Sequence, residues 1–286
     1  MIDLVQTLVF GLATGGVIAV GAVGLSLSYG VTRFINFSYG ELLTVGAYLA
    51  VLLATLGVPL LGAVPGAMLA TGVLMVGLAR LVFEPLMQRG PLPLLVTSVG
   101  LAFVLQNAVR MVAGSSAIRF PLPLVRPWTF GELFVPRVPV YVIAVALLAM
   151  LAVHLMLSRS DVGKRMRAVS DDPELARACG IRTRRVLDAT WFASAAIAGL
   201  SGTLLGVTQL ALQPVMGWNF LLVVFAAVLL GGIGHAYGAM VGALIVGLGI
   251  EFGSTYLSAD YGYAFAFVIL VAVLLFRPSG LFGART

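Results

Sequence analysis

Charged residues are scarce in this sequence, and their scarcity indicates the class of protein. Asp, Glu, Lys and Arg make up only 10% of the 286 residues, whereas hydrophobic residues make up 60%. Soluble domains have about a quarter charged residues. Five ranges contain no charge and are each long enough for one or more membrane spans of about 20 residues: 4–32, 42–79, 91–109, 138–158 and 189–250. The composition therefore predicts an all-α, polytopic transmembrane helix bundle.

Cysteine and histidine are scarce too, which argues against several kinds of chemistry. Cys179 is the single cysteine, so the sequence has neither a disulfide framework nor a zinc site. The two histidines lie far from any carboxylate in the sequence, and there is no G-x-x-x-x-G-K-[ST] phosphate loop. No basic run is interleaved with stacking aromatic residues. We therefore expect no catalytic residue, metal site or cofactor in this chain, and no nucleic-acid partner.

One hydrophilic stretch, residues 158–187, separates two long apolar runs and holds eight of the seventeen Lys and Arg residues. Within it, Asp172-Pro173-Glu174 is a helix-start signal, because an Asx side chain caps free N–H groups and Pro suits the first helical position. Gly180 supplies the stop. The implied helix, 173–179, is only about 10 Å long and needs a partner surface to be stable.

This short helix has the composition of a docking helix. It combines a small apolar face with surrounding arginines: Leu175, Ala178, Cys179 and Ile181 on the one hand, Arg177, Arg182, Arg184 and Arg185 on the other. The alternative is that the stretch is basic only because cytoplasmic loops of membrane proteins collect Lys and Arg. The residues alone leave both interpretations open.

Polar residues interrupt the apolar sequence at two places. Between Val31 and Ala50 they are Asn36, Ser38 and Glu41, and a carboxylate at a helix centre costs about 2.5–3.5 kcal/mol on insertion scales. We therefore expect a broken or re-entrant helix there, with an interfacial position for Glu41 as the alternative. Gln106 and Asn107 either join helices or line a pathway.

The glycines of LLGGIGHAYGAMVGALIVG, residues 229–247, allow a helix to unwind or turn back within the membrane, with a tight inter-helix hairpin as the alternative. Taken together, the polar and glycine interruptions predict the translocation pathway. Its predicted residues are Asn36, Phe37, Ser38, Tyr39, Gly40, Glu41, Gln106, Asn107, Gly231, Gly232 and Gly234.

We expect eight spans, plus or minus one, with broken or re-entrant segments. Pro85, Pro91 and Pro93 predict a non-helical second loop, and a turn is expected over residues 213–219.

Basic residues place 158–187 and 277–286 in the cytoplasm, and 115–137 outside, where Trp128 and Phe130 would anchor at the interface. Residues 66–70 (GAMLA) weakly echo 238–242 (GAMVG), as expected of duplicated transporter halves.

Five segments resemble the permease subunits of bacterial high-affinity branched-chain amino-acid ABC importers. INFSYGE, residues 35–41, resembles INFAHGE of that family, and LQN at 105–107 matches its LQN. The glycine segment 229–247 resembles LGGIG-x-x-x-GA-x-x-GG, GKRMRAVSDDPELARACGI stands in the place of the coupling loop, and RPSGLFG matches RP-x-GLFG. Ser38-Tyr39 stand where Ala-His is usual, and Tyr237 replaces a common Pro.

The resemblance implies a single permease domain over residues 1–286, in a bacterial or archaeal cytoplasmic membrane, that forms half of the translocation pathway. It implies a second homologous permease as a hetero- or homodimeric partner, an external solute-binding protein, and two cytoplasmic ATPase subunits that carry ATP and Mg²⁺. The residues that it implies for coupling to an ATPase subunit are Gly163, Arg167, Asp172, Pro173, Glu174, Leu175, Arg177, Ala178, Gly180 and Ile181.

Three alternatives differ in what they require. Relatives of the family also carry urea and short amides, so these remain a second class of solute. A secondary transporter would need several intramembrane carboxylates as an ion relay, for which only Glu41 and Glu251 are candidates. A membrane enzyme would need a nucleophile and a base at depth, and the sequence does not favour one.

Overall fold

The computed structural model describes residues 2–120, 128–130, 133–258, 261–277 and 280–282. Most of these residues are helical. The α-helices within the described ranges are α1 Ile2–Thr32, α2 Tyr39–Thr55, α3 Leu60–Leu78, α4 Pro91–Ala113, α5 Arg137–Arg159, α6 Asp161–Asp171, α7 Pro173–Ala178, α8 Thr183–Gln209, α9 Met216–Gly231, α10 Ala236–Tyr256 and α11 Gly262–Phe276.

The predicted all-α membrane bundle is confirmed. Among the described helices, six are long and apolar enough to cross a membrane, and α2, α9 and part of α11 are shorter apolar helices. Helix α2, with 17 residues, spans about 25 Å at 1.5 Å per residue, less than the roughly 30 Å of hydrocarbon in a bilayer. Both α2 and α9 begin after a non-helical segment.

The first four and the last four helices form two halves with matching partners. Helix α1 packs against α10 as α8 packs against α3, and α2 contacts α9. The end of α1 lies beside α6, because Ser170 Oγ donates to the Gly30 carbonyl, whereas α8 begins after α7. The corresponding helices α1 and α8 therefore run in opposite directions, as in inverted transporter repeats. The echoing segments 66–70 and 238–242 lie in α3 and α10, which correspond in this arrangement.

The core sits around α1 and α8. These two are the most buried of the six long apolar helices, and α5 is the least buried. Close approach between helices depends on glycine: a Cβ on Gly202 of α8 would lie 1.9 Å from the Leu43 carbonyl oxygen of α2. Backbone packing of this kind is typical of membrane bundles, where small residues bring helices together.

The prediction of a non-helical loop around Pro85, Pro91 and Pro93 was wrong. Helix α3 continues as a π-helical segment, Ala79–Phe83, and then as a 3-10 helix, Glu84–Arg89. Helix α4 then begins at Pro91. Pro85 and Pro91 each stand in the first turn of a helix, where a backbone N–H has no intrahelical partner and its loss costs little.

The outer turn is shorter than predicted. Helix α9 begins at Met216, so Gly217, Trp218 and Asn219 are helical rather than part of a turn over 213–219. The sequence also gave no signal for four strands of two or three residues, β1 Ile118–Arg119, β2 Trp128–Phe130, β3 Leu133–Val135 and β4 Ala211–Leu212. Strand β1 pairs with β4 and β2 with β3, both antiparallel. The predicted anchoring by the side chains of Trp128 and Phe130 lies outside the described residues.

Candidate translocation and coupling sites

The predicted break in the second apolar run is present. Helix α1 ends at Thr32, Arg33 has a left-handed backbone with φ 58°, and α2 begins only at Tyr39. Asn36 closes the turn, because its Oδ1 accepts hydrogen bonds from the Ser38 N–H at 3.0 Å and the Ser38 Oγ at 2.7 Å. Asn36 and Ser38 are both buried, so each has at least a local structural role at the start of α2.

Glu41 faces protein rather than an interface. Its side chain is 0% exposed, and its Oε1 accepts a hydrogen bond of 3.2 Å from Nε2 of Gln106 in α4. Tyr39 is fully buried as well and donates to the Gly21 carbonyl at 2.8 Å. The structure thus brings Gln106 to Glu41 and seals both inside the bundle.

Asn107 is not part of this group. It is exposed, and its Nδ2 donates to the Phe103 carbonyl of its own helix at 2.8 Å. Neighbouring residues on a helix point about 100° apart at 3.6 residues per turn, so Gln106 and Asn107 cannot both face Glu41. Although the two polar residues are adjacent in the sequence, Gln106 therefore faces the interior and Asn107 the outer surface of the chain.

Phe37 connects the break before α2 with the glycine turn after α9. Its N–H donates to Ser98 Oγ at 3.0 Å, and its ring centroid lies 5.4 Å from that of Phe225. Phe37 and Ile233 line the same apolar cavity of about 120 Å³. Of the predicted pathway residues, Phe37 is thus the one placed between the two interruptions.

The glycine turn is a tight hairpin between α9 and α10. Gly232 and Gly234 have φ of 103° and 85°, which other residues adopt only with strain. A Cβ on Gly231 would lie 2.1 Å from the Gly238 carbonyl oxygen, so the two helices pack backbone to backbone. This geometry accounts for the glycines by packing, and their pathway role stays a prediction.

The N-termini of α2 and α9 meet inside the bundle. A Cβ on Gly217 would lie 1.9 Å from the Gly40 carbonyl oxygen, and the Gly217 N–H donates to Thr44 Oγ1 at 3.1 Å. Two short helices that begin at one point in a bundle direct their positive dipole ends to the same region. Gly40, a predicted pathway residue, therefore lies where the two halves of the chain touch.

The capped helix in the basic stretch is confirmed, with its end one residue earlier than predicted, at Ala178. Asp172 Oδ1 accepts hydrogen bonds from the N–H groups of Glu174 at 2.9 Å and Leu175 at 3.0 Å. Gly180 follows with φ 81°, as the stop signal requires. Pro173, at the first helical position, matches its predicted place.

Helix α7 presents most of its surface outward. Leu175 is 61% exposed, and Arg177, Ala178 and Cys179 are exposed as well, whereas Ala176 is buried. Ile181 is half-buried. A six-residue helix with an exposed leucine has the surface expected of a docking element.

Helix α6 was not predicted from the sequence. Two of the predicted coupling residues, Gly163 and Arg167, lie on it. Ser160 Oγ caps it by accepting from the Gly163 N–H at 3.0 Å. A Cβ on Gly163 would lie 2.3 Å from the Met156 carbonyl oxygen, and Arg167 donates to the Leu157 carbonyl. Gly163 and Arg167 thus fix α6 to the end of α5. The signal was Ser160 as a cap, followed by Gly163, Met166 and Val169 at helical spacing, all buried.

The arginine ring is incomplete, because Arg184 is engaged elsewhere. It forms an ion pair of 2.8 Å with Glu84, and Arg80 pairs with Asp188 at 2.7 Å. These two pairs join the start of α8 to the helical segment 79–89. The exposed arginines that remain beside α7 are Arg177, Arg182 and Arg185.

Comparison with known proteins identifies the family. Residues 7–274 match the family described as branched-chain amino acid transport system / permease component. The chain is 32% identical to the high-affinity branched-chain amino acid transport system permease protein BraD of Pseudomonas aeruginosa, over 97% of this chain and 95% of that protein. It is 31% identical to the corresponding protein LivH of Escherichia coli, with the same coverage.

An archaeal protein is similar as well. The probable branched-chain amino acid transport permease protein LivH of Methanocaldococcus jannaschii is 27% identical over 92% of this chain and 87% of that protein. No solved structure matches the chain. The family match covers nearly the whole length, and the helix bundle agrees with it. The chain therefore belongs to the branched-chain amino acid transport system permease family and is a multi-pass transport permease of the cytoplasmic membrane.

Proposed function

We propose that this chain forms one half of the translocation pathway of an ATP-driven importer for branched-chain or related small amino acids. It would pair with a second homologous permease, as a hetero- or homodimer, and receive solute from an external binding protein. Two cytoplasmic ATPase subunits would carry the ATP and Mg²⁺. Membership of the family and the names of BraD and LivH support this proposal.

The observation that carries the coupling part of the proposal is the exposed, capped helix α7. It is held between α6 and α8, and α8 runs on into the core of the bundle, so a displacement of α7 would be transmitted to buried helices. An ATPase partner shifts the permease between inward- and outward-facing forms only as far as it binds the two forms differently. A docking helix that moves with the nucleotide state of the ATPase subunits would provide that difference.

The pathway would run past the point where the two halves meet. Unwound backbone and helix N-termini near Gly40 and Gly217 can interact with the carboxylate of a zwitterion, as at broken helices of other transporters. Phe37 and the apolar cavity beside it would provide a wall for an aliphatic side chain. A permease for urea or short amides would use the same backbone groups without needing that wall.

The test is uptake by the complete transporter, reconstituted in vesicles with its partner permease, ATPase subunits and binding protein. We expect ATP-dependent uptake of leucine, isoleucine or valine, whereas uptake of urea alone would support the alternative. Leu175→Asp should reduce both uptake and co-purification of the ATPase subunits at least tenfold, because a charge is placed on the docking face.

The matched control is Leu257→Asp, which changes a leucine of similar exposure, 64% against 61%, just after α10. This variant should retain the ATPase subunits during purification. Full uptake and normal co-purification with Leu175→Asp would contradict the coupling role of α7 and leave the basic stretch as a determinant of membrane orientation only.

A further inference from the structure

A second intramembrane carboxylate, Glu251, lies in a different environment from Glu41. It stands on α10 and is half-buried, and its Oε1 accepts a hydrogen bond of 2.7 Å from Thr14 Oγ1 of α1. Within the described residues, Glu251 forms no ion pair. An anionic side chain among apolar helices is costly unless a cation or water neutralises it. The Glu251 carboxylate can therefore bind a positively charged ligand.

Glu251 lines a cavity between α1, α8, α9 and α10. The cavity has a volume of about 230 Å³, and its walls include buried apolar side chains from each of these helices, namely Val17, Leu205, Phe220 and Ile250. A single carboxylate against an apolar wall is the arrangement that binds an ammonium group attached to a hydrocarbon chain, because the charge is paired while the chain is removed from water.

A second cavity adjoins the first and contributes donors. It has a volume of about 420 Å³ and shares Gln209 and Phe220 with the cavity of Glu251. Gln209, Gln213 and Asn219 bring three side-chain amides to it, and none of these amides has a hydrogen-bond partner within the part of the chain that the structure describes. Amide N–H groups donate to carboxylates. Met216, the first residue of α9, lies in the same wall, so the positive end of that helix is close.

Both cavities lie at the end of the bundle opposite to the basic stretch. Gln209 ends helix α8, which begins at Thr183 beside α7 and, with 27 residues, is about 40 Å long at 1.5 Å per residue. Solute from an external binding protein would thus reach this end first. Phe37 and Glu41 line neither of these two cavities; they contact α9 and α4, through Phe225 and Gln106.

We infer that these two cavities form an entry site for a zwitterionic amino acid, with its ammonium group at Glu251 and its carboxylate among the amides of Gln209, Gln213 and Asn219. The inference rests on the proposed function, because it assumes that the solute is an amino acid. The aliphatic side chain lies against Phe220 and Ile250. All of the named residues belong to this chain.

The test uses the purified complex of this chain with its partner permease and ATPase subunits, without the binding protein. Thermal stabilisation is measured against the concentration of leucine, of isoamylamine, which lacks the carboxylate, and of isocaproate, which lacks the ammonium group. The wild-type complex should be stabilised by leucine and isoamylamine at concentrations at least about tenfold lower than by isocaproate, because only the first two can pair with Glu251.

Glu251→Gln should raise the half-maximal concentration of leucine and isoamylamine about tenfold or more, since a hydrogen bond to a charged group is replaced by one to a neutral amide. Glu251→Asp keeps the charge and should keep the preference for the amine. The control Asp161→Asn makes the same carboxylate-to-amide change at an exposed residue that forms a surface ion pair with Lys164, and should behave as wild type.

Unchanged half-maximal concentrations in Glu251→Gln, with the amine still preferred, would overturn the inference. If Glu251→Gln does not assemble, the ligand comparison on the wild-type complex decides: equal effects of isoamylamine and isocaproate would overturn it. ATP-driven uptake of branched-chain amino acids is measured separately, with the same wild-type complex reconstituted in vesicles together with the binding protein. Failure of that uptake refutes the proposed function, whereas normal uptake with an unaltered Glu251→Gln complex refutes only the entry site.

Discussion

Glu41 and Glu251 are both carboxylates in apolar helices, but their surroundings differ. Glu41 is completely buried, receives a hydrogen bond from Gln106, and lies in the region where the backbones of α2 and α9 touch. Glu251 is half-buried, receives its hydrogen bond from Thr14, and borders open space. The first carboxylate is enclosed by packed helices, whereas the second has room for a ligand beside it.

The largest expected effect comes from separating the closely packed starts of α2 and α9. Gly217→Ala places a Cβ against the Gly40 carbonyl oxygen, where both backbones are fixed by the start of a helix. We expect a loss of about 1–3 kcal/mol of stability, as for other overpacked sites, seen as a lower melting temperature and lower yield in detergent.

The control for that change is Gly100→Ala in α4, where an added Cβ meets nothing within 4 Å. It should leave the melting temperature unchanged or raise it slightly, because alanine favours a helix more than glycine does. Equal behaviour of the two variants would mean that the meeting point of α2 and α9 is not closely packed.

A smaller effect is expected from the partner of Glu41. Gln106→Leu removes one donor to a fully buried carboxylate, which should cost roughly 0.5–1.5 kcal/mol, the usual contribution of one hydrogen bond, because Thr44 still bonds to the carboxylate. Asn107→Leu, at the next position on the same helix, changes an exposed amide that bonds only to its own helix. Its melting temperature should stay close to wild type. A larger fall in melting temperature for Asn107→Leu than for Gln106→Leu would show that Glu41 is not sealed by Gln106.

The smallest effect on stability is expected at Glu251, the carboxylate that lines a cavity. Thr14→Val removes the hydrogen bond to Glu251, but the carboxylate still borders a cavity. Hydrogen bonds between membrane helices contribute about 0.6 kcal/mol on average, so the melting temperature should fall by less than in Gln106→Leu. A fall as large as that of Gln106→Leu would mean that Glu251 is a packing residue like Glu41, and would remove the contrast between the two regions.

Much of the fold could be predicted from local patterns. The apolar runs gave the helix bundle, and the polar residues after Thr32 and the glycines after Leu230 gave two of its breaks. Asp172-Pro173-Glu174 and Gly180 gave helix α7 to within one residue. Each of these signals acts within a few residues through caps, backbone angles or the cost of charge in a membrane, so no distant part of the chain is needed to read it.

The candidate site was predicted only in part. The residues around Glu41 were recognised as unusual, but Asn107 was grouped with Gln106 although the helix turns it outward. Gly163 and Arg167 were predicted as coupling residues, and the structure shows that they also attach α6 to α5. In both cases neighbours in the sequence have different surroundings in space. Orientation on a helix and the position of the partner helix decide which of them share a surface.

The sequence alone determined that this protein is a membrane helix bundle with broken segments and a short capped helix in its basic stretch, because hydropathy, capping and glycine signals are local. Only the tertiary structure decided which carboxylate is sealed and which borders a cavity. That outcome depends on contacts between distant residues, such as Gly40 with Gly217, Glu41 with Gln106 and Thr14 with Glu251. The physical reason is that burial is a property of packed helices, and no single segment carries enough information to specify its neighbours.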